Sequence, residues 1–225
     1  CAKILHKLPN AGVDLIELGM PFSDPMADGP VIQNSYKRAL ANGNTMSKTI
    51  KLVKNFRRIN NITPLILMGY YNPIYQLGVE KFFKKIKKAG VDGILIVDLP
   101  PEAVIEIYKF SQLYEVKLIH LATPTTDSSR LGQILKHASG FLYYVSITGI
   151  TGSRISSLSN IEKNYKKLKK KINIPFAVGF GINTPQKAKN IAKYADAVVV
   201  GSSLINQIDF SLKNKKMWFI MWLIW

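Results

Sequence analysis

Short apolar runs alternate with longer amphipathic segments along this chain. The apolar runs are rich in Val, Ile, Leu and aromatic residues and are bounded by Gly, Pro, Asn or Asp, which is typical of buried strands. The predicted strands are residues 13–18, 64–68, 93–97, 116–121, 141–145, 175–178 and 197–200. Apolar residues at helical spacing predict helices that include residues 45–59, 79–89 and 102–114, and Thr184 with Pro185 predicts the N-cap and first position of another.

Continuous apolar strands that alternate with helices favour a parallel sheet covered by helices. Seven strand–helix units fit the spacing, whereas a closed (β/α)8 TIM barrel needs eight strands. Because the chain opens inside what looks like a helix, the absent strand would be the first. We therefore predict an α/β fold, a TIM barrel apparently lacking its first strand, as a single domain over residues 1–225 with an uncertain, atypical tail at 206–225. The alternative is an open doubly wound sheet, but no G-x-G-x-x-G motif follows the first predicted strand.

The charge of the chain is strongly positive, with Lys+Arg 31 against Asp+Glu 14 and a net charge of +17. Such a field attracts anions, but the lysines fall on predicted helix surfaces without interleaved aromatic residues, so we expect no specific nucleic-acid partner. The single cysteine excludes a disulfide within the chain and fits a reducing compartment, the cytoplasm or a plastid stroma. The apolar residues 217–225 are too few to span a bilayer, and the three histidines lack metal-ligand spacing, so neither a membrane nor a metal partner is expected.

The densest chemistry lies in residues 17–33, which read ELGMPFSDPMADGPVIQ. Glu17 ends an otherwise apolar strand, where burial raises the pKa of a carboxyl group and suits it to proton transfer near neutral pH. A carboxylate satisfied by a neighbouring backbone or lysine explains the position about equally well. Asp28 follows in a loop with three prolines, where ordinary turn chemistry is the simpler interpretation of Asp-Gly and Asp-Pro.

Glycine-rich turns follow the last three predicted strands, at residues 149–152, 179–181 and 201–203. Glycine allows backbone N–H groups to approach a phosphate closely, and a helix beginning at Ser202 would add its N-terminal dipole. Phosphate sites in barrels are commonly built from the loops after strands seven and eight. Together the three turns predict a phosphate site, although any one of them alone is weak support.

Residues 17–33 as a whole resemble the pattern E-L-G-x-P-x-S-D-P-x-A-D-G-P-x-I-Q of the tryptophan synthase alpha subunit family, with every fixed position present. The resemblance runs from about Gly12 to Ser203 and includes GYYNP at 69–73, DLP at 98–100, YVS at 144–146, GITG at 149–152 and GFGI at 179–182. It fades after about Ile205, and the apolar end at residues 217–225 departs from the amphipathic helix that closes the family's fold.

The resemblance implies cleavage of indole-3-glycerol phosphate to indole and glyceraldehyde 3-phosphate, in L-tryptophan biosynthesis. It implies Glu17 as the acid/base and Asp28 as the catalytic aspartate. The other implied positions are Tyr143 near the substrate, Gly152, Gly181, Gly201 and Ser202 on the phosphate, and Asp98 and Tyr70 in supporting roles. It also implies no cofactor for this chain, and a pyridoxal-phosphate beta subunit as its partner in an alpha2-beta2 heterotetramer, contacted through residues 21–32.

Three other functions remain open on the sequence. A sugar-phosphate isomerase or aldolase would share the glycine turns but not residues 17–33. A noncatalytic subunit would activate a beta partner without cleaving substrate. A nucleic-acid-binding role rests on the charge alone, and steeply salt-dependent binding would support it. His120 ends a strand and could face the site, but a structural role is the simpler interpretation.

Overall fold

The computed structural model describes residues 1–145, 158–179 and 181–214. Within them, a strand lies at each of the seven predicted positions. The strands are β1 (Ile16–Gly19), β2 (Leu65–Gly69), β3 (Gly93–Ile96), β4 (Lys117–Ala122), β5 (Leu142–Val145), β6 (Phe176–Gly179) and β7 (Ala197–Val199). The first strand begins later than predicted because Gly12 has a left-handed φ of 87° and the Val13 amide still closes a turn onto Leu8.

The helices lie between these strands. They are α1 (Ala2–Lys7), α2 (Pro30–Ala41), α3 (Met46–Arg57), α4 (Tyr71–Leu77), α5 (Val79–Ala89), α6 (Ile105–Leu113), α7 (Ser128–His137), α8 (Leu158–Lys169), α9 (Pro185–Ala192) and α10 (Ser202–Lys213). Helix α5 matches its predicted range, and α9 has Thr184 as N-cap with Pro185 at its start, as predicted. Pro30 was assigned to a loop, but it begins α2, since its fixed φ suits the first turn of a helix.

Contacts between α-carbons divide the chain into two compact units. The first holds Cys1–Ala27 and Gln33–Leu118. In this unit β1, β2 and β3 are neighbouring parallel strands, with Glu17 opposite Ile66 and Leu67 opposite Ile94. Helix α5 buries Phe82, Phe83 and Ile86 on one face and exposes its lysines on the other, as the helical spacing of its apolar residues requires.

An arginine–aspartate pair joins the amino-terminal ends of β2 and β3 in the first unit. Asp92 precedes β3, and its Oδ2 accepts hydrogen bonds from the Leu65 amide at 2.7 Å and from Arg57 at 2.5 Å. Arg57, the last residue of α3, also donates to the carbonyl of Gly90 at 2.7 Å. One carboxylate thereby fixes the start of β2, the start of β3 and the end of a helix. We call this set of contacts the Asp92 clamp.

The second unit holds Asp28–Ile32 and the described residues from Ile119 onward. In it β4, β5, β6 and β7 are neighbouring parallel strands. Its core is built around the aromatic side chains Tyr144, Tyr165 and Phe176, and the Tyr165 and Phe176 rings stack at 4.7 Å. Burial raises the pKa of Tyr165 to about 12, so its hydroxyl stays protonated and donates to the Phe176 carbonyl at 2.9 Å.

The second unit contains the same type of ion pair at the amino-terminal ends of two neighbouring strands. Asp196 precedes β7, and its Oδ2 accepts from the Phe176 amide at the start of β6 at 2.7 Å. The cation is Lys169, the last residue of α8, which donates to the same oxygen. We call this set the Asp196 clamp. The prediction of a single domain over residues 1–225 stays a prediction, and residues 215–225 lie outside the described residues.

Candidate active site

Glu17 is the second residue of β1, so the strand continues to Gly19 and does not end at Glu17 as predicted. Glu17 is half-buried, and its neighbour Ile16 is buried. Because successive side chains of a strand point to opposite faces, Glu17 points away from the face on which Ile16 packs. The strand is parallel to β2, so the loops after both strands begin at the same edge of the sheet. Ligands of α/β sheets bind at this edge.

Asp28 is buried, with 6% of its surface exposed, although it lies in a turn just before α2. A buried carboxyl group is costly unless it is paired, hydrogen-bonded or used in chemistry. Its burial argues against the interpretation of Asp28 as a simple surface turn former. Asp28 belongs to the second unit and Glu17 to the first.

The loop of residues 21–27, between β1 and Asp28, contacts Tyr70, the residue that follows β2. The Ala27 amide donates to the Tyr70 hydroxyl at 3.1 Å, and the rings of Phe22 and Tyr70 lie 5.3 Å apart. Tyr70 is only 1% exposed. The sequence placed Tyr70 in a supporting role but gave no sign of the contact to Ala27, which joins residues 43 positions apart.

Asp98 lies beyond the end of β3 and is half-buried. Its Oδ1 accepts a hydrogen bond from the Tyr71 amide at 2.8 Å. This contact gives the carboxylate a structural task, because it caps the turn that leads from β2 into α4. The supporting role expected for Asp98 in the site stays a prediction.

Tyr143 lies half-buried in β5, and its ring covers Gly179 at the carboxyl end of β6. A Cβ atom built on Gly179 would lie 2.5 Å from the Tyr143 Cε1 and Cζ atoms. Only a residue without a side chain leaves this space to the ring. Gly179 therefore has a task in packing, whereas the phosphate role in the turn at residues 179–181 was predicted for Gly181.

The predicted phosphate residues are described in part. Gly181 is exposed and has a φ of 72°, a left-handed conformation that favours glycine. Gly201 is the N-cap of α10, and Ser202 is its first residue; both are exposed. The first amides of a helix have no partner within the helix, so the start of α10 offers donors to an anion. Gly152 lies outside the described residues.

His120 is buried within β4, which continues to Ala122, so it does not end the strand as predicted. Burial lowers its pKa to about 4, with a smaller contribution from His137, so the ring is neutral near physiological pH. No group of three or more possible metal ligands occurs in the described part of the chain. Among the same residues, no helix is long and apolar enough to cross a membrane.

A family model described as "Tryptophan synthase alpha chain" matches residues 1–220. This chain belongs to the tryptophan synthase alpha chain family. The match reaches beyond both ends of the resemblance seen in the sequence, which was expected to begin near Gly12 and to fade after Ile205.

Solved structures of this family are similar over nearly the whole chain. Tryptophan synthase subunit alpha from Legionella pneumophila str. Paris shares 41% identity at a TM-score of 0.89, over 96% of this chain and 79% of that chain. A structure of the tryptophan synthase a2b2 complex from Pyrococcus furiosus contains a chain that is 37% identical at a TM-score of 0.86, over 97% of this chain and 89% of that chain. A chain in a tryptophan synthase structure from M. tuberculosis shares 28% identity at a TM-score of 0.85, over 98% of this chain and 83% of that chain.

The fold class and the reaction class follow from this membership. The predicted α/β fold is confirmed as that of the tryptophan synthase alpha chain, a TIM-barrel type, and the described residues of this chain contain seven of its parallel strands. The family is one of carbon–carbon lyases, which cleave indole-3-glycerol phosphate to indole and glyceraldehyde 3-phosphate in tryptophan biosynthesis. The predicted reaction is thereby confirmed. Membership of this family disfavours the alternative that the chain is a sugar-phosphate isomerase or aldolase.

Proposed function

We propose that Glu17 and Asp28 carry out the cleavage of indole-3-glycerol phosphate in this chain. The observation that carries the proposal is burial: Asp28 is 6% exposed, and Glu17 is half-buried in a strand of apolar residues. Carboxyl groups in such surroundings are retained when they are paired or used. Glu17 lies within β1, and Asp28 follows the loop after the carboxyl end of that strand, the end at which catalytic groups of barrel enzymes lie.

The reaction needs two proton transfers and the breaking of one carbon–carbon bond. The Glu17 carboxylic acid donates its proton to C3 of the indole ring, which makes the ring an electron sink. The Glu17 carboxylate then takes the proton of the side-chain hydroxyl next to the scissile bond. The O–H electrons form the aldehyde carbonyl, and the electrons of the broken bond return to the ring. Glu17 therefore ends the cycle protonated, as it began.

Asp28 acts on the indole nitrogen. Protonation at C3 places positive charge on the nitrogen, and a carboxylate that accepts the N–H hydrogen bond stabilises that charge as it forms. The stabilisation is strong because the Asp28 carboxylate is shielded from water. Asp28 needs no proton of its own for this role.

The other end of the substrate is held through its phosphate. Gly181, Gly201 and Ser202 supply main-chain amides and a hydroxyl, with Gly152 as a further ligand. Tyr143 contacts the substrate between the phosphate and the indole. Fixing the phosphate lets binding energy orient the reacting carbons.

The proposal extends to a partner and to a compartment. The similar chain from Pyrococcus furiosus is part of an a2b2 complex. We expect this chain to form an alpha2-beta2 heterotetramer with a beta subunit, which holds pyridoxal phosphate and consumes the indole. The alpha chain itself uses no cofactor for its own reaction, and it works in the cytoplasm or in a plastid stroma.

The decisive experiment is indole release from indole-3-glycerol phosphate by the wild type and by Glu17→Gln, with and without a beta subunit. Loss of a general acid–base group should lower kcat about 100- to 10,000-fold. Substrate binding, measured by calorimetry, should change little because glutamine has the same shape.

Glu80→Gln is the matched control, since it makes the same chemical change on the exposed face of α5. It should leave indole release unchanged. Full turnover by Glu17→Gln would refute the assignment of the acid/base. Stimulation of the beta subunit by a folded wild-type chain that releases no indole would favour the noncatalytic subunit instead.

A further inference from the structure

The loop that leads to Asp28 is held at one point by a backbone hydrogen bond. The Ala27 N–H donates to the Tyr70 hydroxyl at 3.1 Å, and Ala27 is the residue directly before Asp28. A bond to the main chain restrains the path of the chain itself. It therefore limits where the next residue can place its Cα atom, and with it the Asp28 carboxylate.

The same tyrosine holds the beginning of the loop. The Phe22 ring lies 5.3 Å from the Tyr70 ring at an angle of 32°, an aromatic contact of ordinary geometry. Between the two contacts lies Pro25, which reduces the freedom of the loop further. One buried side chain thus contacts both ends of the segment between β1 and Asp28.

Tyr70 is itself firmly placed. The Met20 amide donates to the Met68 carbonyl at 2.8 Å, so the chain still follows β2 after β1 has ended. A Cβ on Gly69 would lie 2.6 Å from the Met20 Cε atom, which shows how closely the two strand ends approach. Asp98 fixes the other side of Tyr70 by accepting the Tyr71 amide at 2.8 Å.

We propose that Tyr70 is a positioning residue that ties the loop of residues 21–27 to the end of β2 and so holds Asp28 in place for catalysis. The inference rests on the proposed function of Asp28. It gives Tyr70 a task apart from lining an apolar pocket, because the hydroxyl acts on the backbone of the loop. It also gives Asp98 a part in the site, since Asp98 fixes the backbone next to Tyr70.

Tyr70→Phe tests the proposal, because it removes the hydroxyl and keeps the ring that packs on Phe22. The Ala27 amide should exchange its hydrogen about fivefold faster in native-state exchange, as expected for the loss of one net hydrogen bond. Indole release should show kcat lowered on the order of tenfold or more, since misplacement by about 1 Å costs up to about 100-fold. KM should stay within about twofold, because no substrate contact is removed.

Tyr71→Phe is the matched control. It removes the same atom from the next residue, where the hydroxyl lies 3.2 Å from the Glu106 Oε2 atom on the exposed surface. Exchange at Ala27 and indole release should both equal those of the wild type. Phe22→Leu provides a second route to the same loop without touching Tyr70, and it should raise exchange at Ala27 as well.

Five outcomes bear on the inference. Faster exchange at Ala27 together with a lower kcat in Tyr70→Phe supports it. Unchanged exchange overturns the tether, and faster exchange with the wild-type kcat overturns its role in positioning. A raised KM with an unchanged kcat would make Tyr70 a substrate contact and would also overturn it. A wild type that releases no indole would refute the proposed function. The exchange rate at Ala27 alone would then decide whether Tyr70 restrains the loop of residues 21–27.

Discussion

Gly179→Ala adds one methyl group at the point where the Tyr143 ring crosses the end of β6. The new carbon would lie 2.5 Å from the Tyr143 Cε1 and Cζ atoms. Carbon atoms normally approach to about 3.5–4.0 Å, so the ring must retreat by about 1 Å or more. The backbone at Gly179 is held by its parallel pairing with Val145, which leaves the ring as the part that moves.

The displacement should affect both stability and turnover. Forcing an extra methyl group into a packed site typically costs about 1–3 kcal/mol of folding free energy. If Tyr143 contacts the substrate, a shift of about 1 Å should lower kcat/KM up to about 100-fold. Urea denaturation followed by circular dichroism measures the first effect, and indole release measures the second.

Gly132→Ala is the control for stability, because a Cβ at that position in α7 meets no atom within 4 Å. It should stabilise the protein by about 0.5–1 kcal/mol through helix propensity. The double variant Gly179→Ala with Tyr143→Leu tests the cause, since leucine removes the ring that the methyl group meets. The double variant should be more stable than the sum of the single effects predicts, by about 1 kcal/mol or more. Strict additivity would refute the clash with Tyr143 as the source of the loss.

Two further predictions concern stability and pH. Since burial lowers the pKa of His120 to about 4 while the unfolded chain titrates near 6.5, the free energy of unfolding should fall by about 3 kcal/mol as the pH drops from 6.5 to about 4. Urea denaturation midpoints measured against pH should fall less steeply in His120→Leu than in the wild type. An equally steep fall would contradict the assignment of the pH dependence to His120. Burial raises the pKa of Asp196, but its hydrogen bonds with Lys169 and the Phe176 amide together outweigh burial. The pKa of Asp196 is therefore below its usual range. Asp196→Asn should therefore lower the free energy of unfolding by about 1 kcal/mol near neutral pH, a figure already reduced for solvent screening. This loss should vanish in acid as the pH falls through the depressed pKa of Asp196. Equal losses of stability at neutral and acid pH would contradict the prediction.

Much of the secondary structure could be predicted because it depends on local pattern. Helix α5 was found at its predicted bounds, since its apolar and charged residues separate cleanly by face. The start of α10 at Ser202 was also predicted correctly. Helix α2 was missed because its first residue, Pro30, belongs to a segment dense in turn formers, and a proline at the first helical position resembles a proline in a loop.

The site was predictable in its residues but not in its contacts. The resemblance supplied Glu17 and Asp28, whose roles stay predictions. The contact of Ala27 with Tyr70 and the packing of Tyr143 on Gly179 join segments that are distant in sequence. No periodicity or spacing encodes such pairs, because they arise only when neighbouring parallel strands place their carboxyl ends side by side.

The two clamps lie at the amino-terminal ends of their strands, whereas Gly179 is the last residue of β6 and Ser202 follows β7. Substitutions at the clamps are therefore expected to change the stability of each unit without touching Gly179 or Ser202. The clamps already differ in their cation, which is Arg57 in one and Lys169 in the other. We therefore expect thermal stability and catalytic rate to respond to different substitutions in this chain.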